Sequence, residues 1–325
     1  MKKVLLCFIA FSANIFANAQ EVDYSVISVP EESGCEFVRI SSDNDCVCMP
    51  VVKRNSKRAI WATNKVIGIS PDGQDIAFLS ARNQTYNLFI KDLEKKSVSV
   101  QRTKRQLVTD FSYSPDGSSI CFAEKQGKNV QIYQTSADQG FVCRQITDGN
   151  IDYTPVYSSD MSQIFFARQE AKSISIWSYN IKNNYLSNFS NGMNPSPMND
   201  GKILCSRSNA EGKSEIWRID IQSGVEECII SDLEKSFTSP SLSPDGKWIL
   251  FMGTGFAFYD DNKKKYVNTD IYVAHPDGSG IQQLTFHAAD DVCPVWSKDG
   301  KYIYFVSQRG SATATANIWR LTFNH

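Results

Sequence analysis

Ser114-Pro115-Asp116-Gly117-Ser118-Ser119-Ile120-Cys121-Phe122, followed by Gln131-Ile132-Tyr133 and by Ile146-Thr147, decides the reading of this 325-residue chain. Pro presets φ at the first corner of a turn, Asp bonds its own backbone and Gly takes positive φ, so the tetrapeptide is a tight hairpin turn. The run after it is rich in β-branched and aromatic residues, which fit a pleated strand. The same parts recur in the same order, with the turn's Asp at 72, 116, 160, 200, 245 and 299. The steps of 44, 44, 40, 45 and 54 residues match the period of a propeller blade.

Each copy carries one internal grammar. After the turn comes an apolar triplet: Ile76–Phe78, Ile120–Phe122, Ile164–Phe166, Ile203–Cys205, Ile249–Phe251 and Ile303–Phe305. A polar-aliphatic-aromatic triplet follows: Asn87–Phe89, Gln131–Tyr133, Ser175–Trp177, Glu215–Trp217, Asp270–Tyr272 and Asn317–Trp319. A short element then ends in a hydroxyl residue, Thr103, Thr147, Ser190, Ser231 or Thr285. With the strand that leads into the next turn, this makes four strands per repeat, a to d. No stretch shows sustained 3.6-residue periodicity between helix caps. One four-stranded sheet cannot bury both faces alone, whereas blades packed around an axis can. The expected fold is therefore all-β: a six-bladed β-propeller of four-stranded antiparallel blades.

The last repeat runs through its c strand, Asn317–Phe323, without a d strand after it. An N-terminal strand is expected to complete that blade and remove an open edge, and the apolar run Cys46–Val52 is the expected strand. Glu36–Ile40 could pair with that run as a hairpin, which makes seven blades the alternative.

The S-P-D-G turn, the I-x-F triplet, the polar-aliphatic-aromatic strand and the terminal Leu-Thr resemble the TolB-type propeller repeat, also called the PD40 or WD40-like repeat. The resemblance covers residues 60–325. It is clearest at Ser70–Gly73, Ser114–Gly117, Ser243–Gly246 and Leu284–Gly300, and weaker where Met161 and Pro197-Met198 interrupt the pattern. It implies a six-bladed periplasmic propeller that binds proteins in an envelope complex. TolB carries an α/β domain ahead of its propeller, and the roughly 40 residues expected before the first repeat are too few for one.

Residues 1–19 read as a secretory signal peptide. Lys2 and Lys3 are followed by apolar Val4–Phe11 and by a small-x-small site, Ala17-Asn18-Ala19, with cleavage expected after Ala19. Residues 20–59 are then an N-terminal arm that supplies the closing strand, and 60–325 the propeller. The protein is expected in the periplasm or attached to the cell envelope, not transmembrane, and monomeric. Eight of the nine Cys fall after the signal, and an exported chain permits disulfides. Cys35, Cys46 and Cys48 are near enough in sequence to bridge one another. The remaining Cys lie in apolar runs and read as small core residues.

Composition excludes several function classes. Lys and Arg number 34 against 35 Asp and Glu, without the basic surplus of a nucleic-acid binder. Only three His occur, His275, His287 and His325, which disfavours a site of several imidazoles. His275 and His287 are expected on opposite faces. There is no G-x-S-x-G elbow, no H-E-x-x-H and no phosphate-binding glycine loop. No cofactor, metal or catalytic residue is expected.

Two features mark a binding rim on the face where b–c connections emerge. A cation recurs just after strand b: Arg82, Lys125, Arg168, Arg207 and Arg309. If these point to the axis they form a positive mouth for a carboxylate or an acidic peptide; otherwise each pairs with an acid of a neighbouring blade. The fifth repeat also carries a long b–c insertion, Gly253–Thr269, with Phe256, Phe258, Tyr259, Lys264 and Tyr266. Beside it lies the Ala/Thr-rich loop Ser307–Ala316, expected to be flexible. Surface aromatics next to cations favour interfaces. The leading expectation is a non-catalytic scaffold for an envelope protein or peptide. The alternative is a carbohydrate-binding or carbohydrate-active propeller, with Tyr259, Asp260 and Asp261 as contributors.

Overall fold

The structure is a computed structural model that describes residues 24, 29–50, 52–54, 60–95, 98–138, 141–171, 173–258 and 265–324. Residues 1–19, and with them the expected signal peptide, lie outside the described residues. The chain begins with β1 (Phe37–Arg39) and a hairpin of β2 (Val52–Arg54) and β3 (Ile60–Thr63). Six sets of antiparallel strands follow. They are β4 (Ile67–Ile69), β5 (Asp75–Ser80), β6 (Asn87–Asp92) and β7 (Val100–Gln101); β8 (Val108–Tyr113), β9 (Ser119–Gln126), β10 (Asn129–Ser136) and β11 (Cys143–Gln145); and β12 (Ile151–Tyr157), β13 (Gln163–Gln169), β14 (Ile174–Asn180) and β15 (Leu186–Asn191). The fourth to sixth are β16 (Met193–Pro197), β17 (Lys202–Ser208), β18 (Ser214–Asp220) and β19 (Glu226–Ile230); β20 (Phe237–Leu242), β21 (Ile249–Phe258), β22 (Lys265–Ala274) and β23 (Gln282–Gln283); and β24 (Asp291–Trp296), β25 (Tyr302–Ser307) and β26 (Asn317–Thr322). One parallel bridge, Val130–Ile151, joins the second and third sets into an eight-stranded sheet. The helical segments among the described residues are three single 3-10 turns.

The apolar triplets explain why the sheets stack. Ile76, Phe78, Ile120, Phe122, Ile164, Phe166, Ile249, Phe251, Ile303 and Phe305 are all fully buried. The residues between them, Ala77, Cys121, Phe165, Leu250 and Tyr304, are buried as well, although they point to the opposite sheet face. A sheet apolar on both faces must be covered on both faces. Here each is covered by its neighbours, as in a β-propeller.

The turns share one hydrogen-bonded pattern. Ser70 Oγ donates to Asp72 Oδ1 (2.6 Å) and accepts from Asp75 N (2.9 Å), while Gln74 N donates to Asp72 Oδ1 (3.0 Å). Ser114, Ser158, Ser243 and Ser297 repeat the seryl bond to Asp116, Asp160, Asp245 and Asp299. The seryl hydroxyl is the main cause that holds each of these Asp pKa values below the usual carboxylate range. The Gly position has φ between 72° and 80° in five turns, but the third turn places Met161 there at φ 59°. A side chain in left-handed backbone is strained. Met161→Gly is therefore expected to raise stability by about 0.5–1 kcal/mol, seen as a higher urea midpoint. An unchanged midpoint would mean that the Met side chain offsets the strain.

The last set is completed from the N-terminus, but not by the expected segment. β1 pairs with β26, Phe37 opposite Leu321 and Arg39 opposite Trp319. Within Cys46–Val52, Val47 instead bridges Ser80 at the end of β5, and Val52 begins the β2–β3 hairpin. Among the described residues, Glu36–Ile40 and Cys46–Val52 do not pair as a hairpin. The termination of a d strand explains the choice of β1. In the first, second and fifth sets a threonyl hydroxyl accepts from the c strand: Thr103 from Leu88 N, Thr147 from Ile132 N and Thr285 from Ile271 N. Ser41 takes the same place for Ile318 N at 2.8 Å. Ile40 N donates to Ile318 O as Leu284 N does to Ile271 O.

Two further expectations are corrected. The loop Ser307–Ala316 is tied down by the N-terminal segment: Tyr24 N donates to Ser311 O, Gly310 N donates to Tyr24 O, and Glu32 reaches Arg309. Cys35, Cys46 and Cys48 do not bridge one another and are free thiols. Among the described residues no helix is long and apolar enough to cross a membrane.

Candidate functional site

The first strand of every set, β4, β8, β12, β16, β20 and β24, contributes to the wall of one cavity of about 470 Å³. The residues at its rim, Pro71, Pro115, Ser159 and Asn199, belong to the a–b turns, so the cavity opens on the turn face. Its other end is crossed by the β3 backbone. β3 packs against β16, β17 and β20, and the chain then passes directly to β4 through Asn64 and Lys65. β3 thus spans from the fourth and fifth sets to the first, behind the cavity.

The wall has an unusual backbone. Thr154, Asn194, Ser239 and Cys293 have φ between 50° and 56°, and each precedes a Pro. Each sits at a register shift of its strand. The bulges turn Pro155, Pro195, Pro240 and Pro294 toward the cavity. Left-handed non-glycine backbone persists only where its surroundings enforce it, and such positions gather at functional sites. Behind this wall Thr154 Oγ1, Ser239 Oγ, Ser241 Oγ and Trp296 Nε1 are buried with no hydrogen-bond partner among the described residues. Buried polar groups are normally paired.

Lys65 is the one charged side chain among the lining residues. Its backbone is fixed: Lys65 N donates to Asp110 Oδ1 (2.9 Å), and Asn64 Nδ2 donates to Asp110 Oδ2 (2.8 Å). Cys293 Sγ donates to Asn64 O (2.7 Å), tying the sixth set to the same point. The side chain is exposed to the cavity, yet protein surrounds it, and this loss of bulk water pulls its pKa below the ordinary lysine value. Among the described residues its ammonium has no ion pair and no hydrogen bond. Among the described residues the lining includes no carboxylate and no His. Its donors, prolines and Tyr113 are groups that suit binding.

The predicted rim residues lie elsewhere, on the face where b–c connections emerge. Arg82 Nη2 bonds Asp45 Oδ1 (2.7 Å) and stacks over Phe89 (4.4 Å). Arg168 forms a bidentate pair with Asp152 (2.7 and 2.9 Å) over Trp177 (4.3 Å). Arg207 meets Glu226 (2.8 Å) over Trp217 (4.6 Å). Arg309 is held by Asp291 and Glu32 over Phe37. The acids come from the same set of strands or from the N-terminal segment, not from the neighbouring set. Lys125 is half-buried near the end of β9. Phe256 and Phe258 lie on β21 and Tyr266 on β22, within a ladder that pairs Phe256 with Val267 and Phe258 with Lys265. Tyr259, Lys264, Asp260 and Asp261 lie outside the described residues, as does His325.

His275 stacks on Trp248 at 4.4 Å. His287 is buried near Arg309 and accepts from Ala289 N through Nδ1 (3.0 Å); burial, aided by Arg309, lowers its pKa to about 4. Among the described residues no three His, Cys, Asp or Glu are grouped to hold a metal ion. Sequence reasoning missed Lys65 and Asn64, which stand just outside the repeated grammar. The signal available was the Pro two residues before the last strand-a residue in four repeats.

Comparison with known proteins agrees with this architecture. Residues 63–197 match the family described as PD40, TolB beta propeller domain. A segment of 72 residues, 22% of the chain, is 32% identical to dipeptidyl-peptidase 5 of Porphyromonas gingivalis and spans 10% of that protein. Among solved structures, TolB from Acinetobacter baumannii superposes with a TM-score of 0.58 at 16% identity, over 80% of this chain and 63% of that one. An oligogalacturonate lyase in complex with manganese superposes with a TM-score of 0.56 at 13% identity, over 90% of this chain and 94% of that one. The repeat, the stacked four-stranded sheets and the match over residues 63–197 identify that part of the chain as a TolB-type β-propeller repeat domain.

Proposed function

We propose that this chain is an exported, monomeric six-bladed propeller that binds a protein or peptide segment in the cell envelope and catalyses no reaction on it. The six sets of strands are its blades, and β1 closes the ring. The observation that carries the reading is the cavity of about 470 Å³ bounded by all six first strands, whose described lining has one cationic side chain and no carboxylate or His. The likeness to TolB and the signal-like residues 1–19 support an envelope location. The rim predicted on the opposite face has its described guanidiniums bound to carboxylates, so we assign the partner to the mouth ringed by the S-P-D-G turns. Photo-crosslinkers at Tyr113, which lines the mouth, and at exposed Leu233 test this in an envelope fraction. A discrete adduct is expected from position 113 and not from 233. Adducts lost only when residues 253–269 are deleted would move the partner to the other face.

A second reading rests on the superposition with the oligogalacturonate lyase: a carbohydrate-active propeller that uses the same cavity. Release of unsaturated oligosaccharide from an acidic polysaccharide incubated with the protein and manganese would favour it. The absence of a carboxylate or His from the lining favours the scaffold.

A further inference from the structure

We propose that the cavity captures the free C-terminal carboxylate of its partner, which enters end-first through the turn face and meets the Lys65 ammonium at the floor. This rests on the scaffold reading above and specifies its ligand. Three observations lead to it. One end of the cavity is crossed by the β3 backbone, which packs on β16, β17 and β20 before the chain reaches Asn64 and Lys65. An extended segment that threads in must therefore present a chain end to the floor. The described lining at the floor carries one cation, while the neighbouring carboxylate of Asp110 is buried outside the lining and bonded to Lys65 N and Asn64 Nδ2, so a carboxylate end is attracted there and an amino end repelled. The walls are prolines and aromatic rings with hydroxyls behind them, surfaces that accept a peptide without demanding one sequence.

Energetics favour such a ligand over bulk anions. Lys65 is exposed to the cavity and its ammonium has no ion pair among the described residues, which leaves it open to a ligand. A carboxylate would supply the missing partner through a charge-assisted hydrogen bond, stronger than a neutral one. Asn64, pinned between Asp110 and Cys293, keeps the floor from moving away. Capture of a C-terminal carboxylate is a recurring mode of peptide recognition.

The test uses the full chain and a random pentapeptide library with a fluorescein at the N-terminus, synthesised once with free C-terminal carboxylates and once as C-terminal amides. The carboxylate library should bind about tenfold more tightly or better, the size of one charge-assisted hydrogen bond. Lys65→Met should remove that preference while leaving the thermal midpoint unchanged, and Lys65→Arg should retain part of it. Equal binding of the two libraries, binding of neither, or a preference that survives Lys65→Met would each overturn the proposal. Binding of amidated peptides only when they carry an internal Asp or Glu would overturn it in favour of a side-chain carboxylate. If the crosslink at position 113 forms equally with wild type and Lys65→Met, the scaffold reading stands and this one fails.

Discussion

Arg309→Met is expected to destabilise the protein by about 3–5 kcal/mol, the cost of removing one partner from a buried ion pair. Arg309 is 5% exposed, and its guanidinium lies between the rings of Phe37 (4.2 Å) and Phe305 (5.2 Å). Its Nη1 and Nη2 each reach a Glu32 oxygen at 3.0 Å, and Nη2 and Nε reach Asp291. Glu32 also accepts from Phe286 N at 2.8 Å. One cation therefore joins the N-terminal 3-10 turn, β1 and the sixth set, beside the strand pairing that closes the sheet. Without it, two carboxylates stay buried unpaired. The pH dependence has a definite sign. Burial already raises the Asp291 pKa above its usual value, and loss of Arg309 raises it further. A raised carboxylate pKa is a penalty present above the folded pKa and relieved as pH falls toward the unfolded one. The deficit of the variant should shrink on acidification. Urea midpoints at pH 7 and pH 5 check this, with Arg207→Met as reference. The Glu226 partner of Arg207 has a side chain 37% exposed, so that loss should stay within about 1 kcal/mol. Equal losses for the two variants would show that the Arg309 cluster does not hold the closure.

The strands were legible because each copy of the grammar is local. A Pro-Asp-Gly turn, an I-x-F triplet and a polar-aliphatic-aromatic triplet each lie within a few residues, and burial of both neighbours of Phe78 or Phe122 needs no partner identity to be foreseen. The closing strand was not read correctly, since apolar content pointed to Cys46–Val52. The useful signal was the terminal hydroxyl: Ile40-Ser41 copies Leu284-Thr285 in position and in bonding. The repeated cations were legible as positions but not as contacts. Whether Arg82 or Arg309 faces a ligand depends on Asp45, 37 residues away, and on Glu32, 277 residues away. Lys65 was invisible for the opposite reason. It occurs once, between an irregular hairpin and the first repeat, and becomes notable only when six strands enclose it.

Gly278→Ala is expected to cost about 3 kcal/mol, from left-handed backbone strain and steric overlap together. Gly278 sits in the turn between β22 and β23 with φ +85°, and a Cβ there would lie 1.8 Å from Ile229 O on β19. That atom is backbone of the outermost strand of the fourth set, so it cannot swing aside as a flexible side chain would. The turn is also fixed from its other sides. Arg218 Nη1 donates to Pro276 O (3.0 Å), Gly278 N donates to His275 O (2.9 Å), and His275 stacks on Trp248. Trp248 in turn meets Phe323 edge-on at 5.7 Å, which meets Trp296 at 5.0 Å. Relief of the overlap therefore requires the fourth and fifth sets to part at their outer edges. Gly246→Ala separates the two causes. Gly246 has φ +74° and nothing within 4 Å of its Cβ position, so it reports backbone strain alone, about 1 kcal/mol. Urea midpoints of the two variants should differ by about 2 kcal/mol, the remainder that overpacking supplies. Equal losses would mean that the turn does not press on β19, and that the two sets are held together by their buried cores alone.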